Sequence, residues 1–250
     1  MSIQRLDGLS SALGRGETGR PRLTWYAQDE RIELSGRVLN NWVCKATNLL
    51  IEEFDIQPAA VISLEVPVHW RACYWALAAW RLGATVHVVA GSQGPSAPAA
   101  RDGDLADVRI VLAGTPASGD VVALTPASLA RSAGVALPPG HLDEAAVLST
   151  YGDEAEAPQQ ADPQAEALLG PNLRLTFAPD PCGQAQRRGL LHTADLGIAL
   201  AAAAQLWSND GSLVLVEPRW GAIQGEAELQ RIAAVESATL LQAGDTESPS

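Results

Sequence analysis

The clearest alternation of apolar and polar positions runs from Leu23 to Val89. Leu23 to Ala27 and Arg31 to Leu34 alternate as two short strands do, and Asp29 with Glu30 supplies the turn between them, so a hairpin is predicted. Ser35 stands where an N-cap belongs, because its hydroxyl can accept from an unpaired first-turn amide. Leu39, Trp42, Val43, Ala46, Leu49, Leu50 and Phe54 then follow at helical spacing. Gln57-Pro58 breaks that helix. Val61 to Val66 is a compact apolar run, and Pro67 opens a second predicted helix with Ala72, Cys73, Ala76, Ala79 and Trp80 along one stripe. Gly83 ends it, and Ala84 to Val89 is the next strand. Strand, helix, strand over about thirty residues is a βαβ unit, which requires parallel strands and a right-handed crossover.

Beyond Val89 the signal thins. Gly91 to Asp104 is rich in Gly, Pro and Ser and reads as a loop. Asp107 to Ala113 and Asp120 to Leu124 read as strands, with Thr125-Pro126 opening a short helix through Arg131. The pattern fades from Pro138 to Gly170. Leu173 to Phe177 is a short strand, and an Ala-rich helix runs from Leu191 to Trp207 until Asn209-Asp210-Gly211 stops it. Leu213 to Val216 is a strand, Glu226 to Glu236 a helix, and Ala238 to Leu241 the last strand. The fold class is therefore α/β with a mostly parallel sheet. Its expected division is a lead-in over residues 1–22, an α/β subdomain over 23–137, an acidic linker or surface excursion over 138–170, a second α/β segment over 171–242 and a disordered tail over 243–250.

Composition narrows the function classes. A chain of 250 residues that is 47% apolar can bury a sizeable core. Trp25, Trp42, Trp70, Trp75 and Trp80 place the best of that core in the opening stretch. The net charge of -12 argues against nucleic acid, whose phosphates are bound by clustered Lys and Arg, and Lys45 is the only lysine. Cys44, Cys73 and Cys182 are odd in number and lack CxxC spacing, which fits a reduced cytoplasmic protein better than a disulfide framework or a zinc site. No apolar run reaches the roughly 18 to 20 residues of a membrane span. His69, His87 and His141 are scattered, so no metal site is expected. Metalloprotease, hydrolase and P-loop motifs are absent.

The segments LTWYAQDERIELSGRVLNNWVCKATNLL and VISLEVPVHWRACYWALAAWRLGATV resemble the N-terminal part of the adenylate-forming (AMP-binding) superfamily: acyl-CoA synthetases, luciferases and peptide-synthetase adenylation domains. That family also runs from a hairpin through a helix and an apolar strand to a helix ending in Arg-Leu-Gly-Ala, here Arg81 to Ala84. The resemblance implies an acyl-CoA synthetase N-terminal-domain-like fold before it implies chemistry. It also implies a phosphate loop of Thr, Ser and Gly ending in Pro-Lys-Gly between the strand Leu173 to Phe177 and the helix after Leu191. Such a loop wraps the β- and γ-phosphates of ATP with backbone amides, while a lysine offsets their charge.

The flanks of this loop match the family, and the loop itself does not. Ala178, Pro179, Asp180, Pro181 and Cys182 stand where hydroxyls and glycines belong. Each proline removes an amide donor, and Asp180 repels a triphosphate at close range. Gly183 and Gly189 remain permissive, Arg187 and Arg188 could replace the missing charge, and His192 with Thr193 occupies the expected helix start. An adjacent arginine pair is ordinarily a solvated surface feature, with a residual anion site as the alternative. A histidine at a helix start is ordinarily a cap or a packed side chain. The family's magnesium-binding acid, ribose-binding Thr-Gly-Asp and catalytic lysine have no counterpart after Val216.

One more place is expected to hold a ligand. His69 and Trp70 follow the strand Val61 to Val66 at its carboxyl end, where open α/β sheets bind small molecules. Together with the loop after Val89 they would line a pocket; helix initiation by Pro67 is the plainer account of the same residues. Two functional readings follow. The first is a non-catalytic ligand-binding or interaction module with no catalytic residue and no cofactor, acting on an unknown partner protein or a second copy of itself. The second is a minimal acyl-CoA synthetase-like enzyme that binds ATP with magnesium, or a CoA ester, through Arg187 and Arg188 and is completed by a partner chain.

Overall fold

The computed structural model describes residues 4–15, 17–89, 106–156, 158–178 and 186–242. In chain order its elements are α1 (Leu9–Leu13), β1 (Pro21–Ala27), β2 (Glu30–Ser35), α2 (Gly36–Phe54), β3 (Val61–Glu65), α3 (Trp70–Arg81), β4 (Thr85–Val88), β5 (Val108–Leu112), β6 (Val121–Leu124) and β7 (His141–Asp143). There follow α4 (Glu144–Val147), a 3-10 turn (Leu148–Thr150), β8 (Glu166–Gly170), β9 (Leu173–Thr176), β10 (Arg188–His192), α5 (Leu196–Ser208), β11 (Ser212–Val216), α6 (Pro218–Gln224), α7 (Glu226–Val235) and β12 (Thr239–Leu240).

The strands form two sheets. The first has the order β12-β10-β11-β1-β2 and the second β7-β6-β5-β3-β4-β8-β9. All pairings are parallel except the β1–β2 hairpin and the β8–β9 pair. Helices α3 and α5 lie between the sheets, with contacts to strands of both, and α2 packs on α3 and on the β1–β2 hairpin. Side-chain alternation sets this up. In β11, Leu213 and Leu215 face the inter-sheet core, while Val214 and Val216 face a smaller cluster made with Leu190, Leu229 and Ile232, so α7 packs on the outside.

The hairpin, the Ser35 cap and the βαβ unit form as the spacing predicts. Ser35 Oγ accepts from Val38 N at 3.3 Å, and β3 pairs with β4 in parallel across α3. Gly83 takes a φ of +70° after α3, a conformation that other L-residues adopt at a cost. Two corrections concern α3. It begins at Trp70, capped by His69, and not at Pro67. Every residue from Trp70 to Arg81 is buried, because the helix is enclosed between the sheets and has no solvent face to match a single stripe.

Other differences lie where the pattern is thin. Thr125 to Arg131 is not helical and belongs to an irregular connection between β6 and β7. The Ala-rich helix starts at Leu196 with an Asp195 cap, because residues 188–192 are recruited as β10 between β11 and β12. The segment 138–170 carries β7, α4 and β8, two of them strands of the second sheet. Within the lead-in, Leu6, Leu9 and Leu13 are buried core residues. The expected loop from Gly91 to Asp104, Pro179 to Gly183 and the tail from 243 lie outside the described residues.

Candidate functional site

The residues expected to bind a nucleotide sit at two ends of one strand. Arg187 and Arg188 are at the amino end of β10, and His192 with Thr193 is at its carboxyl end. Four residues of extended chain put roughly 13 Å between Arg188 and His192. Gly183 lies outside the described residues, so the structure brings together only part of this set.

At the amino end the surroundings of Arg188 decide its chemistry. Its guanidinium donates to Glu236 at 2.5 Å, Thr24 Oγ1 at 2.9 Å and Ser212 Oγ at 3.1 Å. Glu236 also accepts from Tyr26 at 2.5 Å and from Arg31 at 2.8 Å. Burial pushes the Glu236 carboxyl up, but Tyr26, Arg31 and Arg188 together hold it down at about 2. Arg20, Pro21, Glu33, Arg188, Ser212, Val235 and Glu236 line an open cavity of about 300 Å³ here. Arg187 contributes its carbonyl, which accepts from Ser212 N at 3.0 Å. Gly189 is a packing position: a Cβ there would stand 2.7 Å from Leu241 and 3.0 Å from Leu206.

At the carboxyl end both polar residues have structural work. His192 Nε2 donates to Pro218 O at 2.9 Å, tying β10 to α6. Thr193 Oγ1 accepts from Asp195 N at 3.2 Å in the turn before α5.

His69 and Trp70 lie at the carboxyl end of β3, where the strand order reverses between β4 on one side and β5 on the other. His69 Nδ1 accepts from Arg71 N at 3.3 Å, which leaves the proton on Nε2. Burial and then the Arg71 charge lower its pKa to about 3, so the ring is neutral at physiological pH. Its edge meets the Trp25 ring at 4.9 Å, so the carboxyl ends of β1 and β3 open on the same side. Trp70 lies beneath the Arg71 guanidinium at 4.7 Å and packs beside Trp42.

Next to this pair is a buried polar cluster that the sequence did not single out. Glu144 is fully buried and accepts from Tyr74 and from Trp75 Nε1 at 3.3 Å, with Arg71 at 3.5 Å. Burial raises the Glu144 carboxyl, and the Arg71 charge opposes the rise. Arg71 and Tyr74, three apart in an otherwise apolar helix, were the available signal. Glu144 sits in the stretch whose pattern fades and offered none. Among the described residues no group of three or more His, Cys, Asp or Glu side chains could hold a metal ion. No described helix is long and apolar enough to cross a membrane.

Comparison with known proteins places the fold. A "TIGR03089 family protein" of Mycobacterium tuberculosis (strain ATCC 25618 / H37Rv) is 30% identical over 203 residues, spanning 80% of this chain and 78% of the relative. The chain belongs to the TIGR03089 family. No family model matches it. Among solved structures, an acyl-CoA synthetase of Brucella canis superposes with a TM-score of 0.71 at 17% identity, covering 94% of this chain and 46% of that one. The N-terminal domain of FACL13 from Mycobacterium tuberculosis gives 0.64 at 12% identity over 94% of this chain and 62% of that one. Acetoacetyl-CoA synthetase from Streptomyces lividans gives 0.63 at 14% identity over 84% and 38%. This member of the family thus has the fold of an AMP-binding N-terminal domain, and it spans less than two thirds of each of these solved chains.

Proposed function

We propose that this chain is a non-catalytic binding or interaction module built on the AMP-binding fold. The observation that carries the reading is the engagement of Arg188, the residue best placed to replace the phosphate-loop lysine. Its donors go to Glu236, Thr24 and Ser212, and a triphosphate would have to compete with a carboxylate already at 2.5 Å. The sole lysine is committed too: Lys45 pairs with Asp153 at 2.8 Å and donates to Tyr151 O at 2.5 Å. Both of these cations are already paired, which supports reading the chain as one that does not hold ATP. A small molecule would instead be received at the carboxyl ends of β1 and β3, beside His69 and Trp70, and a partner protein or second copy would be bound on the outer surface.

Thermal melting in magnesium and ATP tests this directly. At millimolar nucleotide the midpoint should stay within error, because a ligand that does not bind the native state does not stabilise it. A saturable rise that disappears in Arg187→Ala, or exchange of labelled pyrophosphate into ATP when a carboxylic acid is supplied, would overturn the proposal in favour of a working adenylate-forming enzyme. A panel of CoA esters and fatty acids in the same assay searches for the small ligand, and light-scattering mass reports self-association.

A further inference from the structure

The connection from β6 to β7 runs over residues 125–140 without regular structure, sixteen residues between Leu124 and His141. Structureless connections beyond about 12 to 15 residues are uncommon in compact domains and tend to have work to do. This one is exposed along most of its length: Leu129 is 93% exposed and Val135 is 54% exposed. It nevertheless passes beside the most thoroughly buried charges at this end of the molecule. Arg71, 4% exposed, donates to the carbonyls of Ala127 and Ser128 at 3.3 and 3.5 Å. Ser128 Oγ donates to Glu30 in the β1–β2 turn, which links the second sheet's connection to the first sheet's hairpin. Farther along, Ala133 N donates to Asp143 Oδ2 at 2.7 Å.

The tethers and what they cover are closely balanced. Holding residues 126–129 are two long bonds from one guanidinium and one bond from one hydroxyl. Beneath are Arg71 Nε, Thr125 Oγ1 and Trp70 Nε1, all buried without a hydrogen-bond partner. Buried polar atoms in that condition favour any rearrangement that brings them to water or to a polar ligand. Opening breaks few bonds and satisfies several groups, so the open form lies within reach of the closed one.

We infer that residues 125–132 form a strap that opens and closes over the Arg71–Tyr74–Glu144 cluster and the adjoining His69–Trp70 pair, latched by the Ser128–Glu30 hydrogen bond. Opening releases Arg71 from two carbonyls and admits solvent or a small polar molecule to the carboxyl ends of β1 and β3. The strap thereby controls access to the binding region named above. It rests on that reading only for its purpose, since its motion is a property of the chain without ligand.

Hydrogen exchange of the full chain, followed by mass spectrometry, tests the latch. Ser128→Ala should speed exchange across residues 126–132 and in the first turn of α3 by about tenfold, the effect of losing one hydrogen bond to a charged group. β3 and β5 should keep their rates. Ser132→Ala, in the same exposed run, should change nothing. Glu30→Ala should reproduce the effect of Ser128→Ala, whereas Glu30→Gln keeps an acceptor and should exchange like the wild type. Tryptic cleavage after Arg131 should accelerate in the same variants and in no others. Wild-type rates in Ser128→Ala, a rise that includes β3 and β5, or a Glu30→Gln chain as open as Glu30→Ala would each overturn the latch. A ligand panel that yields no stabilisation would remove the binding reading and leave the exchange result standing.

Discussion

Arg188 and Glu236 are separated by 48 positions, and their contact sets the character of the amino end of the first sheet. Glu236 has a side chain 6% exposed and gathers Tyr26, Arg31 and Arg188 around one carboxylate. Because its folded pKa of about 2 lies below its ordinary value of 4.5, the folded state binds this proton less readily than the unfolded chain does. The resulting stability is complete above pH 4.5 and is lost as pH falls through that value toward 2. Glu236→Gln should therefore lower stability at neutral pH by about 3 kcal/mol, the usual cost of removing one partner from a buried pair. The difference from wild type should shrink in urea titrations carried toward pH 2. A penalty that does not depend on pH would show that packing, not charge, is what the carboxylate supplies. None of this was legible in the sequence. Arg187-Arg188 was visible as a basic pair, but nothing along the chain names a glutamate so far downstream as the partner of its second member.

At the scale of elements, local signals hold wherever one helix or strand carries its own instructions. Ser35, the heptad-like spacing of Leu39 to Leu50 and Gly83 each act over a few residues, and the structure uses all three. Such signals give way where an element's state depends on a neighbour. Leu191 and His192 look like a helix start by composition and instead end β10, because β11 offers a parallel edge. Pro67 looks like a helix start and yields that place to His69, whose ring supplies the acceptor. The packing of α1 against α2 gives a test at this scale. Gly36, the first residue of α2, would place a Cβ 2.2 Å from the carbonyl oxygen of Leu13, so the two helices cannot keep their spacing with any larger residue. Gly36→Ala should cost about 1–3 kcal/mol, the range for overpacking, despite the better helix propensity of alanine. Calorimetry showing a neutral or stabilised variant would mean that α1 is not held against α2 in solution.

For the whole molecule, the largest fact is that one core joins both sheets. Trp25 and Leu215 from the first sheet, Leu64 and Leu168 from the second, and Trp75, Trp80 and Ala203 from the helices between them belong to a single cluster. Helix α5 touches β10 and β11 on one side and β8 and β9 on the other. Cutting the chain after Gly170 would remove α5 and leave the inner faces of both remaining sheets open to water. Residues 1–170 should accordingly lack a cooperative melt, and the full chain should unfold in a single transition by circular dichroism and tryptophan fluorescence alike. Two separated transitions would show that the sheets are independent units.

Sequence alone determined the pieces whose cause is contiguous: the hairpin, the capped helix and the βαβ unit, together with the resemblance they carry. Periodicity, caps and turn residues act within a few positions, so they can be read in order. Tertiary structure decided which sheet each strand joined, that α3 would be buried on every side, and that Arg188 would spend its charge on Glu236 and Arg71 on Glu144. These depend on which distant segments meet once the core closes, because a charge's partner is set by distance in space and not by separation along the chain.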